Sequence, residues 1–243
     1  MRLTRSFVER PLRVGDELPL PDDVAAHLLR VLRLQTGDAC VLFNGDGHDY
    51  DARIVAIGKR DASARIVDVR RIDNESPLRI TLLQGIARGE KMDWILQKST
   101  ELGVARILPV SSERSEVKLD AQRADKRLAH WREVVIAACE QSGRAHLPEV
   151  AAPQLLPAAA AMRDGRGFIL DPFAGASLSR LPDATLQACT IAIGPEGGWS
   201  PRDRDQLVAA GFEGLRLGPR VLRTETAGLA AIAALQARFG DLG

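Results

Sequence analysis

The spacing of hydrophobic positions along the chain changes near residue 72. Before it, short apolar runs are separated by turn residues, a pattern typical of a small barrel-like β domain. The runs that predict strands are residues 40–43, 53–57 and 64–69, and one short helix is predicted near residues 22–32. The polar segment 73–77 ends in proline and has the composition of a linker. We therefore predict a domain boundary between residues 72 and 73.

After this linker, apolar runs alternate with helical patterns, which predicts an α/β fold. Residues 78–86 form the first predicted strand, and the apolar residues that follow recur at helical spacing until Gly103, a helix stop. In a longer helix further on, Trp131 belongs to the apolar stripe, so we expect it in the core or in a dimer interface. Residues 153–161 predict another helix, and residues 167–172 predict a strand that ends in a turn.

Two strand–turn–helix units near the end of the chain carry the strongest local signals. The apolar run 189–193 leads into the turn 194–200, whose three glycines let a ligand approach main-chain groups without interference from a Cβ atom. Ser200 is predicted to cap the next helix, with Pro201 at the first helical position and Asp203 near the positive helix end.

The second unit repeats this order. The run 215–217 leads into the turn 218–226, and a helix is predicted over residues 227–239, with Thr224 as a candidate cap. Consecutive units of this length predict neighbouring parallel strands, whose carboxyl ends lie at one edge of a sheet. The two turns are therefore predicted to form one ligand pocket.

Composition narrows the functional classes only slightly. The chain has 243 residues, of which 45% are hydrophobic and 27% are charged, and its formal net charge is +1. It therefore lacks the overall basic charge typical of nucleic-acid-binding proteins, and contact with RNA would depend on local clusters, each of which also fits a solvated surface. The clusters comprise Arg2, Arg5, Arg10 and Arg13; His27, Arg30 and Arg33, which at three-residue spacing are predicted to share a helix face; and Arg88, Lys91 and Lys98.

The cysteines and the apolar segments bear on the cellular compartment. Cys40, Cys139 and Cys189 are far apart and lie in apolar segments, so we expect buried thiols in a reducing compartment. With four histidines and no Cys/His pairs at ligand spacing, no metal site is predicted. The first residues lack the apolar core of a signal peptide, and no apolar stretch is long enough to span a bilayer. We expect a cytoplasmic protein without membrane contact.

The two turn motifs, IGPEGGWS at residues 193–200 and LGPRVLRTETA at residues 217–227, resemble the signature pair of the RsmE family, the 16S ribosomal RNA (uracil-N3) methyltransferases of the SPOUT superfamily. Matches to this family continue along most of the chain in the same order. They are residues 27–33, 43–47, 91–103, 112–115 and 140–144. Trp199 departs from the phenylalanine expected after the double glycine, but this departure removes no polar group from the turn.

The resemblance implies a fold class and partners. It makes residues 1–72 a PUA-like RNA-binding β-barrel, and residues 73–243 a SPOUT methyltransferase domain, an α/β domain with a deep trefoil knot. It also implies a homodimer with the active site near the subunit interface, where Arg2, Arg30 or Arg114 of one subunit completes the site of the other. The implied substrate is 16S rRNA or the small ribosomal subunit.

The resemblance further implies S-adenosylmethionine as the cofactor, held by three loops. The matching cofactor-binding positions are Leu170; Gly194, Pro195, Glu196, Gly197 and Gly198; and Leu217, Gly218, Leu222 and Thr224. The candidate RNA-binding residues are Arg2, Arg5, His27, Arg30, Arg33, Arg88, Lys91, Lys98, Arg114 and Arg144.

Methylation at N3 of uridine requires loss of a proton from a weakly acidic imide and stabilisation of the developing uracil anion. Arg223 is the candidate for stabilising charge on O2 or O4, and Glu196 or Glu225 is the candidate for accepting the proton or orienting the cofactor amine. Glu225 also lies where a carboxylate stabilises a helix N-terminus, which is an equally good explanation of this residue.

Two other functions compete with this interpretation. A non-catalytic RNA-binding protein that kept the fold would bind no cofactor. A metabolic enzyme with a dinucleotide or triphosphate cofactor is disfavoured, because neither G-x-G-x-x-G nor G-x-x-x-x-G-K-[ST] follows a predicted strand. The sequence therefore favours a methyltransferase.

Overall fold

A computed structural model describes residues 3–59, 61–115, 121–181 and 186–243. The described residues form two compact units. The N-terminal unit comprises Met1–Glu75 and Cys139–Leu147, and the C-terminal unit comprises Ser76–Ala138 and Pro148–Gly243. The segment 139–147, which contains the whole motif at residues 140–144, therefore packs with the N-terminal residues although it follows them by a long stretch of chain.

The N-terminal unit contains a five-stranded sheet in its described residues, with the strand order β1-β3-β4-β5-β2. The strands are β1 (Arg5–Phe7), β2 (Glu17–Pro19), β3 (Ala39–Phe43), β4 (His48–Ile57) and β5 (Ala62–Arg71). Strands β3, β4 and β5 are antiparallel neighbours, as the alternating runs and the turn between residues 43 and 48 predict. Their inward residues, such as Leu42, Ile54 and Ile66, form the core of this unit.

The predicted helix of this unit is present but irregular. Helix α1 (Asp22–Ala26) continues into a π-helical turn at His27–Val31, in which the Leu32 N–H donates to the His27 carbonyl at 3.1 Å. Because a π turn holds more residues than an α turn, and Arg33 lies beyond it at a φ of 58°, three-residue spacing does not align His27, Arg30 and Arg33. The prediction that these exposed residues share one helix face is therefore wrong.

The C-terminal unit contains a seven-stranded sheet in its described residues, and its strand pairs are parallel. Along the sheet the order is β12-β10-β11-β6-β7-β8, and β9 also pairs with β7. The strands are β6 (Arg79–Gly85), β7 (Arg106–Ser111), β8 (Glu149–Val150), β9 (Gln154–Leu155), β10 (Arg166–Leu170), β11 (Ala188–Ile193) and β12 (Phe212–Leu215). This arrangement confirms the predicted α/β alternation.

The helices of the C-terminal unit lie close to the predicted ones, but the helix predicted over residues 153–161 begins only at Leu156, because Gln154–Leu155 form strand β9 and pair with β7. They are α2 (Glu90–Glu101), α3 (Ala121–Ser142), whose last residues belong to the N-terminal unit, α4 (Leu156–Ala161), α5 (Pro201–Ala209) and α6 (Thr224–Phe239), with a 3-10 turn at Leu178–Arg180. Trp131 in α3 is buried, as its place in the apolar stripe predicts. Among the helices of the described residues, none has both the length and the apolar character needed to cross a membrane.

One prediction about the sheet is wrong. The strands that precede the two conspicuous turns, β11 and β12, are not neighbours, because β10 lies between them and pairs with both. Since all three strands are parallel, their carboxyl ends still lie at the same edge of the sheet. The intervening strand adds a third loop to that edge.

The three cysteines are buried, as expected from their apolar neighbours. Burial raises the pKa of Cys40 to about 11 and the pKa values of Cys139 and Cys189 to about 12. The thiols therefore stay neutral and pack as small hydrophobic groups.

Two arginines assigned to RNA binding lie inside the N-terminal unit. The Arg5 guanidinium donates to the Asp49 carboxylate at 2.7 Å and to the carbonyls of Cys139 and Arg144 at 2.7 and 3.1 Å. The Arg144 side chain pairs with Glu75 at 2.5 Å. Both arginines are buried and their charges are neutralised, so their assignment to an RNA-binding surface is corrected. Arg2 lies outside the described residues.

We predict that Asp49→Ala lowers the free energy of unfolding by about 3–5 kcal/mol, because it leaves the Arg5 cation buried without a counter-charge. Asp51→Ala on the same strand is the matched control. Its partner Arg70 is 49% exposed, so a loss of only about 0–1 kcal/mol is expected. Denaturant titrations of both variants make the comparison, and equal losses would contradict a special role for the Arg5–Asp49 pair.

Candidate active site

The loops that follow β10, β11 and β12 surround one pocket at the carboxyl edge of the parallel sheet. Its volume is about 410 Å³. The lining residues are Leu170 and Pro172; Ile193, Gly194, Pro195, Glu196 and Gly198; Val221, Leu222, Arg223, Thr224, Glu225 and Ala227; and Lys91 from α2. The prediction that the two turns form one pocket is therefore confirmed, with the β10 loop as a further wall.

The first wall is a tight turn at residues 194–198. The Gly198 N–H donates to the Pro195 carbonyl at 2.8 Å, and Gly198 has a φ of 66°, a conformation that favours glycine. A Cβ atom on Gly194 would lie 2.9 Å from the carbonyl carbon of Gly198. The glycines therefore allow the chain to fold back on itself and to present main-chain groups to the pocket.

The end of β6 supports this turn from behind. A Cβ atom on Gly85 would lie 2.5 Å from the Pro195 nitrogen, far inside van der Waals contact. The side chain of Gln84, which is fully buried, donates from Nε2 to Thr224 Oγ1 at 3.0 Å, and Thr224 Oγ1 donates to the Gly194 carbonyl at 2.6 Å. This chain of hydrogen bonds, here called the Gln84 relay, joins β6 to the loops after β11 and β12.

The relay changes the role of Thr224. Thr224 is the first residue of α6, and the N-cap position belongs to Arg223, whose side chain makes no capping hydrogen bond. The prediction of Thr224 as the helix cap is therefore wrong. Its hydroxyl connects two pocket walls instead.

The exit of the first turn has the predicted geometry. Ser200 Oγ accepts from the Asp203 N–H at 3.0 Å, and Asp203 Oδ2 accepts from the Ser200 N–H at 3.0 Å, with Pro201 at the start of α5. This reciprocal pair is a capping box. It fixes the direction in which the glycine turn leaves the pocket.

Glu196 projects from the first turn and is surrounded by donors. Its carboxylate accepts from the Arg88 N–H at 3.1 Å and lies 3.5 Å from the Lys91 ammonium. Partial burial alone would raise the pKa of Glu196, but the main-chain N–H donors and Lys91 outweigh it and hold the pKa below the ordinary value of 4.5. The carboxylate therefore stays ionised at neutral pH, and the stability it contributes is lost only as the pH falls through the lowered pKa.

Glu225 and Arg223 line the pocket from the segment that follows β12. Glu225 is in the first turn of α6, and its Oε2 atom is buried with no hydrogen-bond partner among the described residues. A buried carboxylate oxygen without a donor is costly unless a ligand supplies one. Arg223 lines the same pocket and is exposed. The pocket thus offers an acceptor and a cation from residues two positions apart in the sequence.

Most of the cofactor-binding positions meet in this pocket. Leu170, Gly194, Pro195, Glu196, Gly198, Leu222 and Thr224 line it. Leu217 and Gly218 line a smaller adjoining cavity of about 70 Å³, which shares Leu170 and Leu222 with the main pocket. Gly197 lines neither cavity, and its carbonyl accepts from Arg114 at 3.0 Å.

The RNA-binding candidates of the C-terminal unit divide into two groups. Arg88, Lys91 and Arg114 contact the turn at residues 196–197 through a main-chain N–H, an ammonium and a guanidinium group respectively. Lys98 lies further along α2 and pairs with Glu101 at 2.9 Å. The first group therefore lies against the glycine turn, where Lys91 also lines the pocket, and Lys98 does not belong to this group.

Gln84 is the pocket-supporting residue that the sequence analysis missed. A signal was available, because an amide side chain interrupts the apolar strand Leu82–Leu83–Gln84 and a buried amide needs partners. Which partners it would find depended on loops more than a hundred residues away in the sequence.

Comparisons with known proteins agree with this geometry. A family model described as an RNA methyltransferase domain matches residues 74–236, and one described as an RNA methyltransferase PUA domain matches residues 20–67. The fold and site thus define an RNA methyltransferase with a PUA domain. A relative from Buchnera aphidicola subsp. Schizaphis graminum, named Ribosomal RNA small subunit methyltransferase E, is 33% identical over 99% of this chain and 98% of its own length. The chain belongs to the ribosomal RNA small subunit methyltransferase E family, which confirms the resemblance.

Two solved structures show the same fold over the whole chain. A methyltransferase E from Neisseria gonorrhoeae, solved with S-adenosyl methionine, has 41% sequence identity and a TM-score of 0.91. A methyltransferase from Legionella pneumophila, solved with the cofactor SAM, has 38% identity and a TM-score of 0.95. Both alignments cover 100% of either chain.

We predict that Gly85→Ala lowers the free energy of unfolding by about 1–3 kcal/mol, because its methyl group would push the Pro195 peptide out of place. Gly228→Ala is the matched control. Gly228 lies inside helix α6, and a Cβ atom there would meet Ile193 at 3.5 Å, an ordinary van der Waals distance. Since alanine favours a helix more than glycine does, the free energy of unfolding is expected to rise by up to about 1 kcal/mol. Denaturant titrations check both values, and a neutral Gly85→Ala variant would contradict the close approach.

Proposed function

We propose that this protein transfers the methyl group of S-adenosylmethionine to N3 of a uridine in the 16S rRNA of the small ribosomal subunit. The observation that carries the proposal is the pocket at the sheet edge, which is lined both by a glycine turn that exposes main-chain groups and by Glu225, whose buried Oε2 atom has no hydrogen-bond partner among the described residues. The membership of the chain in the methyltransferase E family supports the same reaction.

The residues of the pocket fit the cofactor. Its volume is of the size that small-molecule sites usually have. Leu170, Ile193 and Leu222 offer apolar walls for a flat base, while the turn 194–198 offers main-chain groups without Cβ interference. The ionised Glu196 carboxylate suits the cationic parts of the cofactor. We assign the cofactor to these residues, together with Thr224, which holds the Gly194 carbonyl in place.

S-Adenosylmethionine supplies an electrophilic methyl group when it is bound. The nucleophile is N3 of uracil, which forms the new N–C bond as the C–S bond breaks and must lose its proton. Negative charge then develops on the uracil ring, and the Arg223 guanidinium is placed on the pocket wall to stabilise it at O2 or O4.

The environments of the two glutamates separate their roles. Glu196 is held ionised by N–H donors and Lys91, which makes its carboxylate a weak base and a good electrostatic partner for a cofactor amine. Glu225 has an oxygen to which no donor within the described residues is committed. We therefore assign proton acceptance to Glu225 and cofactor orientation to Glu196.

The finer architecture is proposed on the resemblance to the SPOUT superfamily. Residues 1–72 would form a PUA-like β-barrel and residues 73–243 a SPOUT domain with a deep trefoil knot, assembled as a homodimer. Small ribosomal subunits as substrate place the protein in the cytoplasm. His27, Arg30 and Arg33, which are exposed in the N-terminal unit, and Arg88, Lys91, Lys98 and Arg114 remain the candidate RNA contacts.

The function is tested by incubating the protein with labelled S-adenosylmethionine and either naked 16S rRNA or small ribosomal subunits from a strain that lacks this gene. We expect label in the RNA, and nucleoside mass spectrometry should identify it as 3-methyluridine. Parallel use of the two substrates shows which assembly state is recognised. Cofactor binding without any labelled RNA would contradict the proposed substrate.

The division of roles between the two glutamates predicts different kinetic defects. Glu225→Gln should lower kcat about 100-fold or more while the KM for the cofactor stays nearly unchanged, because a proton acceptor is lost. Glu196→Gln should instead raise the KM for the cofactor about tenfold with a nearly unchanged kcat. Steady-state kinetics on both variants provide the check, and the opposite pattern would exchange the two assignments.

A further inference from the structure

A second, larger cavity is linked to the candidate active site through the small cavity between them. The volume of the larger cavity is about 690 Å³. Leu217 and Gly218 line both this cavity and the small one that shares Leu170 and Leu222 with the active site. The larger cavity thus continues the same edge of the sheet, away from the reacting groups.

The chemistry of this cavity is cationic. Arg180 and Arg216 line it together with the hydroxyl groups of Ser177 and Ser179, and no carboxylate among the described residues is part of the lining. Neither arginine forms an ion pair within the part of the chain that the structure describes. Two guanidinium groups and two hydroxyl groups form a donor-rich surface that suits an anion.

Other arginines of the C-terminal unit are neutralised by carboxylates. The pairs are Arg79 with Asp164, Arg106 with Glu149, Arg166 with Glu213, Arg202 with Glu113 and Arg204 with Asp171. Against these pairs, Arg180 and Arg216 form a local excess of positive charge among the described residues. Because the net charge of the chain is only +1, attraction of an anion depends on such a local excess and not on the total charge.

The walls of the cavity are held in place by the main chain. The Leu178 N–H donates to the Arg216 carbonyl at 3.4 Å, and the Arg216 N–H donates to the Ala176 carbonyl at 2.9 Å. Arg238 donates to the carbonyls of Leu178 and Leu181. The two segments that carry Arg180 and Arg216 are therefore joined, and the arginines occupy one surface.

The positive charge continues toward the active site along the loop 216–223. Arg220 lines the small adjoining cavity, and Arg223 lines the active site itself. Neither has a carboxylate partner among the residues described. Arg216, Arg220 and Arg223 thus line three cavities in succession, ending at the proposed catalytic residue.

We propose that Arg180, Arg216 and Arg220 form a phosphate-binding track, here called the arginine track, that holds the RNA backbone beside the target uridine. The inference rests on the proposed RNA substrate. A polynucleotide is the anion that matches it, because its phosphates repeat along the chain, and Arg180, Arg216 and Arg220 line two adjoining cavities without a carboxylate partner among the described residues. Such contacts carry no sequence information, so the track would fix the register of the RNA, while the active site selects the base.

The test uses the full chain with both Arg180→Gln and Arg216→Gln, and measures binding to 16S rRNA across a salt series. We expect RNA affinity to fall about tenfold at low salt and the slope of log K against log salt to flatten by about 1.4, as for two lost contacts to single-stranded RNA. Affinity for S-adenosylmethionine should stay unchanged. The control carries Arg79→Gln and Arg166→Gln, which removes the same formal charge from ion-paired positions of the same unit and should leave the slope unchanged.

A variant with Arg180→Lys and Arg216→Lys keeps the charge and should restore most of the slope. An unchanged slope in the glutamine variant, or an equal change in the control, would overturn the track. A shift from dimer to monomer in the glutamine variant, with the slope intact, would show instead that this surface joins two copies of the chain. Methyl transfer by the unaltered protein is measured in parallel. Absence of methyl transfer would contradict the proposed function, whereas an unchanged salt slope with methyl transfer intact would contradict only the arginine track.

Discussion

The end of β6 lies so close to the Gly194–Pro195 peptide that a single methyl group on Gly85 would not fit. The rest of the candidate site depends on this contact. It sets the position of the glycine turn, and the Gln84 relay then ties that turn to Thr224 at the start of α6. The positions of both pocket walls are therefore set by contacts with one central strand of the parallel sheet, β6. A packed sheet is among the stiffest parts of a protein. The loops are therefore held in a fixed geometry by their contacts with the sheet.

Arginines in this chain serve three different physical purposes. Arg5 and Arg144 are buried in the N-terminal unit, where carboxylates and carbonyls neutralise them. Surface arginines such as Arg166 are paired with acidic residues. A third set, on the loop 216–223 and at Arg180, has no carboxylate partner among the described residues. The net charge of +1 therefore conceals an uneven distribution, and a near-neutral composition is compatible with local contact with nucleic acid.

The sequence predicted best what is decided locally. The capping box at Ser200 and Asp203 involves residues three positions apart, so its geometry follows from their identities. The position of β10 between β11 and β12 does not, because strand order is set by long crossover connections and leaves no trace in the periodicity. The same holds for Arg5, whose partners in the segment 139–147 are distant in sequence. Its charge suggested a surface, and only the fold shows that the guanidinium is enclosed.

The two glutamates show why residue type alone could not assign the chemistry. Both are carboxylates that line one pocket, and the sequence left each of them available for either role. Their surroundings differ: Glu196 accepts hydrogen bonds from main-chain N–H groups beside Lys91, whereas Glu225 keeps one buried oxygen without a donor in the described residues. Stabilising a carboxylate charge lowers its pKa, as the N–H donors and Lys91 do for Glu196, so this group becomes a good electrostatic anchor and a weak base. The division of labour that we propose follows from this difference in hydrogen bonding, which arises only when the loops are brought together at the sheet edge.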